Sequence, residues 1–159
     1  MHLDASGIIH AWDNYPIANF PPFWDWIGAE IANGNYAICE VALDEVGHNS
    51  PECSKWLKEH GIRKILLNEE ILLQAAEIKG ILGIAAENYH ADGVDENDLL
   101  IAAAAAIEAD TLLTEESRQP NLPLNRSRFK IPAVCELDEV SIASTNVREL
   151  IISSGMIFR

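Results

Sequence analysis

The sequence predicts an α/β domain whose largely parallel central sheet is covered by helices on both faces. Three observations predict it: short apolar runs alternate with helical patterns along all 159 residues, an alanine-rich segment is suited to lie close against a sheet, and no linker, repeat or low-complexity tract divides the chain. We therefore read residues 1–159 as one domain, long enough to bury a sizeable core.

In order, "MHLDAS" reads as a short buried strand, and "GIIHAWDNY" as an amphipathic turn or helix running to Pro16. "FPPFWDWIGAEIANG" is a helix, with prolines at its entry, apolar spacing through Phe23, Trp24, Ile27 and Ile31, and Gly34 as its stop. "NYAICEVALDEVGH" opens as a strand around Tyr36 to Ile38 and turns helical near Val41, ending about Gly47. "SPECSKWLKEHG" has an Asn49 or Ser50 cap, Pro51 near the first turn and Gly61 at its end. "RKILLNEE" holds a brief strand, and "NEEILLQAAEIKGILGIAAENYH" reads as one long helix or two, weakened by Gly80 and Gly83. "ENDLLIAAAAAIEAD" is the clearest helix, because alanine is the best helix former. "TLLT", "KIPAV" and "VSIAS" read as three strands before a last helix, "NVRELIISSG".

Hydrophobic residues make up 48% of the chain and charged ones 23%, which argues against disorder. Cys39, Cys53 and Cys135 are widely spaced and odd in number, so we read them as reduced, structural and cytoplasmic. No leader is expected before Asp4, and no run of roughly 18 uncharged apolar residues predicts a membrane span. Eleven basic against 25 acidic residues give a net charge of −14, which repels nucleic acid from most of the surface. One segment opposes this trend: "RQPNLPLNRSRFK" carries Arg118, Arg126, Arg128 and Lys130 with no acid among them.

Parallel sheets collect binding sites at the carboxyl ends of their strands. Asp4 ends the first strand, Glu45 lies one to two helical turns past the second, Asp98 sits in the first turn of the alanine-rich helix, and Glu116 follows "TLLT". Each has an ordinary explanation when taken singly. Asp98 complements the helix dipole with Asp95 completing a cap, and Glu45 and Glu116 are solvated acids.

Taken in order and spacing, "LDAS", "VALDEV", "GVDENDLLIAAAA" and "TLLTEE" resemble the four signature blocks of PIN-domain nucleases. The tail "KIPAVCELDEVSIAS" resembles a subgroup placed with VapC-like toxin ribonucleases. The resemblance spans nearly the whole chain and implies a three-layer α/β/α PIN-like fold with a metal-dependent site. Asp4, Glu45, Asp98 and Glu116 match its four acids, and Ser6 and Thr114 its supporting hydroxyl positions. Asp44 stands beside Glu45, so the second acid is open by one residue. The last acid is commonly Asp, and Glu116 reaches farther.

Chemistry supports the match. Two carboxylates about 5 Å apart repel by roughly 3 kcal/mol at an effective dielectric near 20, so clustered acids require protons or a cation. Oxygen-only ligands suit Mg²⁺ or Mn²⁺ rather than Zn²⁺, and His2, His10, His48, His60 and His90 are too scattered to serve. Such a cation supports phosphodiester hydrolysis. Arg118, Arg126, Arg128 and Lys130 are then expected to guide single-stranded or structured RNA to the acids, RNA being chosen over DNA by the resemblance. The resemblance also implies a restraining antitoxin, and the acidic surface favours a basic, partly disordered one.

Within "FPPFWDWI", Trp26 or Phe20 is the candidate for a partner groove or homodimer surface, with ordinary core as the alternative. The tryptophans Trp12, Trp24, Trp26 and Trp56 are expected mostly in the core rather than as base-stacking platforms. Two other readings remain. One is a catalytically degenerate PIN-fold binding module. The other is a haloacid-dehalogenase-like phosphotransferase using Asp4 as nucleophile; it requires a second Asp where Ser6 stands, and a lysine such as Lys64 or Lys130.

Overall fold

β1 (His2–Leu3) is the centre from which the domain is wound. A computed structural model describes residues 1–158. β1 pairs in parallel with β2 (Ala37–Cys39) on one side and with β4 (Leu112–Leu113) on the other; β3 (Arg63–Ile65) and β5 (Ser144–Thr145) complete an all-parallel sheet of order β3-β2-β1-β4-β5. Winding proceeds outward from β1 to β3, then returns to begin again at β4. The junction of β1 and β4 is therefore the topological switch point, where such sheets open a crevice at their carboxyl ends.

Helices α1 (Ala5–Asn14), α2 (Pro21–Ala32), α3 (Glu40–Asn49) and α4 (Pro51–Glu59) occupy the first half of the chain. Helices α5 (Glu69–Ile81), α6 (Glu96–Ile107), α7 (Ile131–Cys135) and α8 (Val147–Ser154) follow. The three-layer α/β/α fold and parallel sheet are as the sequence predicts. Ala102, Ala103, Ala104 and Ala105 of α6 are all buried, as an alanine face packed closely requires. Gly7 lets α1 approach β4: a Cβ there would stand 2.8 Å from the Leu113 carbonyl oxygen. The three cysteines are free and buried.

Three sequence expectations need correction. "KIPAV" is helix α7, not a strand. All five of its residues, Ile131 to Cys135, are buried, and a short apolar run does not distinguish a buried strand from a buried helix. Pro132 is decisive in retrospect, since it occupies the first helical turn where no N–H is needed. The helix through "ILLQAAEIKG" ends at Ile81 and no second one follows before α6. Gly83, at φ +70°, donates to Gly80 and Ile84 donates to Lys79, which is a Schellman stop. Finally, the strands within "TLLT" and "VSIAS" shrink to Leu112–Leu113 and Ser144–Thr145, the latter running one residue past its predicted end.

The tryptophans go mainly to the core. Trp24 is buried and packs edge-on against Trp12 and Trp56, with ring centroids at 5.3 and 4.9 Å. Trp26 is half-buried against Phe23 and Phe158, whereas Phe20 is 41% exposed. At the amino-terminal ends of the strands, buried His2 bonds Glu108 at 2.8 Å, and Arg63 grips the same carboxylate through both terminal nitrogens at 2.8 and 2.6 Å.

Candidate functional site

Asp4 leaves β1 and becomes the N-cap residue of α1, so the strand end and helix start fix its backbone together. Its amide donates to the Leu113 carbonyl at 2.9 Å, which aligns it with Thr114 at the end of β4. The carboxylate is almost wholly buried, 3% exposed. Its Oδ2 accepts from the Ser6 hydroxyl and, at 2.9 Å, from the Thr114 hydroxyl. The two hydroxyls are 3.2 Å apart, and each also accepts a backbone N–H: Ser6 from Glu115 at 3.0 Å, Thr114 from Glu116 at 3.2 Å. Ser6 and Thr114 thus tie the chain after β4 to the chain after β1.

Burial pushes the Asp4 carboxyl above its ordinary range, opposed by the Ser6 and Thr114 hydroxyls and by the Ala5 and Ser6 amides. Asp98 is pushed up to about 7, first by burial and then by the charges of Asp95, Glu116 and Asp4, with the Asp95 N–H opposing. Glu45 is also raised, by burial and by the charges of Asp4 and Asp95. The charges of Asp4, Asp95 and Glu116 thus bear on Asp98, and those of Asp4 and Asp95 on Glu45.

Asp95 is the acid that sequence reasoning assigned only a capping role. It does cap α6: Asp95 and Asp98 form a reciprocal box, with bonds of 3.0 and 2.8 Å. Its charge also bears on Glu45 and Asp98. Glu116 Oε2 accepts the Ile131 N–H of α7 at 3.3 Å, and Glu115 Oε1 accepts the Val147 N–H of α8 at 2.8 Å.

None of Asp4, Glu45, Asp95, Asp98 and Glu116 forms an ion pair with a Lys, Arg or His among the described residues. Nor, among the described residues, do three such side chains already stand at ligating distance from one another. An uncompensated, partly buried set of oxygen donors fits a hard divalent cation and offers no nitrogen or sulfur to a softer one. No lysine pairs with Asp4 among the described residues, and Ser6, which stands where a phosphotransferase of that kind requires a second Asp, bonds its carboxylate.

The basic segment divides. Arg118 donates to the Ser144 carbonyl at 2.9 Å and pairs with Glu149 at 3.1 Å, and Arg128 pairs with Asp92 at 3.0 Å. Arg126, in a 3-10 turn at Arg126–Arg128, and Lys130, the N-cap residue of α7, have no acidic partner among the described residues.

The family model described as "Domain of unknown function (DUF4411)" matches residues 1–158. This chain is a DUF4411 protein. Its fold is shared with VapBC2 from Rickettsia felis, whose crystal structure was determined bound to a DNA fragment from their promoter. The TM-score is 0.56 at 17% identity, covering 91% of the DUF4411 chain and 96% of the other. The fold is thus PIN-like. No curated protein matches the DUF4411 sequence. Among its described residues no helix is long and apolar enough to cross a membrane.

Proposed function

We propose that this protein is a metal-dependent endoribonuclease, the toxin of a toxin–antitoxin pair, with Mg²⁺ or Mn²⁺ held by Asp4, Glu45, Asp98 and Glu116. The observation that supports the reading is that the charge of Asp4 bears on both Glu45 and Asp98, and that of Glu116 on Asp98, while none of the four is ion-paired among the described residues. A divalent cation there would supply an acidified water and charge stabilisation at the phosphate. The chain's own residues do the positioning. Ser6 and Thr114 bond Oδ2 of Asp4 and so fix the carboxylate. The Asp95 N–H holds Asp98 Oδ2, and the Ile131 N–H steadies Glu116. Arg126 and Lys130 offer uncommitted positive charge to the RNA backbone, with Arg118 and Arg128 beside them.

The likeness to a VapBC assembly supports a protein partner. The exposed Ile17 and Phe20 beside half-buried Trp26 supply an apolar surface for it, or for a second copy of the chain. The net charge of −14 favours a basic antitoxin.

The test is cleavage of total RNA with Mg²⁺, with Mn²⁺ and with a chelator, beside an Asp4→Asn variant. Metal-dependent cleavage absent from the variant is expected. Equal cleavage by Asp4→Asn overturns the four-acid site, and metal binding without cleavage by the parent protein leaves a degenerate binding module.

A further inference from the structure

The segment after α8 runs back over α2. The helix stops where Gly155 takes φ +63° and donates to the Ile152 carbonyl at 3.3 Å, and the Ser154 hydroxyl then accepts the Met156 N–H at 3.2 Å. Beyond that point no hydrogen bond ties Ile157 or Phe158 among the described residues. Met156 and Ile157 are 49% and 71% exposed, so neither side chain anchors the segment. Phe158 does. Its ring stands edge-on to Phe23 at 5.5 Å and tilted against Trp26 at 5.6 Å, centroid to centroid.

Phe158 completes a cluster whose other rings are local in sequence. Tyr15 meets Phe20 at 5.4 Å and Phe23 at 5.3 Å, and Phe23 meets Trp26 at 6.1 Å. The cluster reaches the surface at Phe20, which is 41% exposed. Such rings prefer edge-on and offset partners, and Phe158 supplies one from outside α2. A contact made by one ring and no hydrogen bond is of the kind that opens locally while the domain stays folded. From Leu150 onward the sequence holds no Asp or Glu, in a chain of net charge −14. The segment thus has the character that an acidic surface selects in a ligand, apolar and free of negative charge.

We propose that residues 155–158 form a strap over the partner-binding surface of α2, held closed by Phe158. An extended segment of a basic protein partner opens it by bringing its own aromatic side chain to Phe23 and Trp26. The proposal rests on the toxin–antitoxin reading only for the identity of that partner. It makes partner binding an exchange of one ring for another, so the apparent affinity is set by how firmly the strap is closed.

The test needs neither RNA nor metal, which separates its outcome from that of the nuclease reading. A synthetic peptide of residues 153–158 is titrated into isotope-labelled protein and followed at the Phe23 and Trp26 signals, the Trp26 indole N–H being identified by its absence in Trp26→Phe. Phe158→Ala leaves the surface vacant and should bind the peptide saturably. The parent protein, in which Phe158 competes at the effective concentration of a short tether, should bind it about tenfold more weakly. Phe158→Leu, a milder change that removes only the ring, should fall between the two, and Phe158→Tyr should match the parent. A peptide that itself carries Phe158→Ala should bind none of them. Equal binding by the parent and Phe158→Ala overturns the strap, because the tail then covers nothing. Absence of binding to every variant overturns it as well, because the surface then takes no aromatic ring in trans. Either failure leaves the four-acid site standing, and loss of the nuclease reading leaves the strap to this titration.

Discussion

The Asp4 carboxylate and the Thr114 hydroxyl, 110 residues apart in sequence, meet at 2.9 Å across the junction of β1 and β4. That bond makes the orientation of a buried acid depend on the pairing of two central strands. Thr114→Val keeps the shape and removes the donor. Mn²⁺ affinity is expected to fall about tenfold, in keeping with loss of a hydrogen bond to a charged group. Thr114→Ser should restore most of it. Titration calorimetry at pH 7 checks this, and an unchanged affinity in Thr114→Val would show that Asp4 does not need the hydroxyl.

Asp98 gives the site a pH dependence near neutrality. Its carboxyl, pushed up to about 7 by burial and neighbouring acids, must lose its proton to hold a cation. Mn²⁺ affinity should therefore fall as pH drops from 8 to 6, approaching about tenfold per unit below the pKa. The stability of the metal-free protein should move the opposite way. Between about 4 and 7 the folded chain holds a proton that the unfolded chain has lost, so stability rises as pH falls through this window. Urea titrations in chelator across that range measure the slope, and Asp98→Asn should flatten it.

At the amino-terminal ends of the strands the sign reverses. The Arg63 guanidinium, with His2, holds the Glu108 carboxyl down at about 2 despite some opposing burial. Its contribution is complete above the ordinary glutamate range, near 4.5, and is lost as pH falls from there toward 2. The pair is partly exposed, so solvent screening limits the effect to about 1 kcal/mol. Glu108→Gln should lower the stability at pH 7 and remove this acid-side loss, with no change in Mn²⁺ affinity. Parallel denaturation curves at pH 7 and pH 3 for both proteins decide it.

The sequence made the centre of the sheet legible because β1, β2 and β4 are each marked by a short apolar run. Asp4 and Glu116 could be placed from "LDAS" and "TLLTEE" alone. What stayed hidden was tertiary. Ile131 to Cys135 are buried all round, so their apolarity carries no period, and only Pro132 distinguished helix from strand. Asp95 could be read as a cap, but not as a neighbour of Glu45, because that proximity is made by α3 and α6 meeting at the strand ends. The pairing of Arg118 with Glu149 and Arg128 with Asp92 spans 31 and 36 residues, beyond any local pattern.

Those pairings separate the basic residues into two kinds of variant. Arg126 and Lys130 are the uncommitted charges, so Arg126→Ala and Lys130→Ala should each weaken RNA binding and reduce the slope of log K against log salt by about 0.7, the single-strand value per phosphate neutralised. Neither should alter Mn²⁺ affinity. Arg128 instead anchors Asp92, three residues before the Asp95 cap, and the same loop is pressed against the 3-10 turn. A Cβ on Gly93 would stand 2.1 Å from the Ser127 carbonyl oxygen. Arg128→Ala should therefore loosen the approach to α6 and lower Mn²⁺ affinity through Asp98, as Gly93→Ala should more severely by forcing the backbone apart. Salt-dependent RNA binding and Mn²⁺ calorimetry on the four variants test the division. A salt slope unchanged in Arg126→Ala and Lys130→Ala would return both residues to the role of ordinary surface charge, and an intact Mn²⁺ affinity in Gly93→Ala would disconnect this loop from the acids.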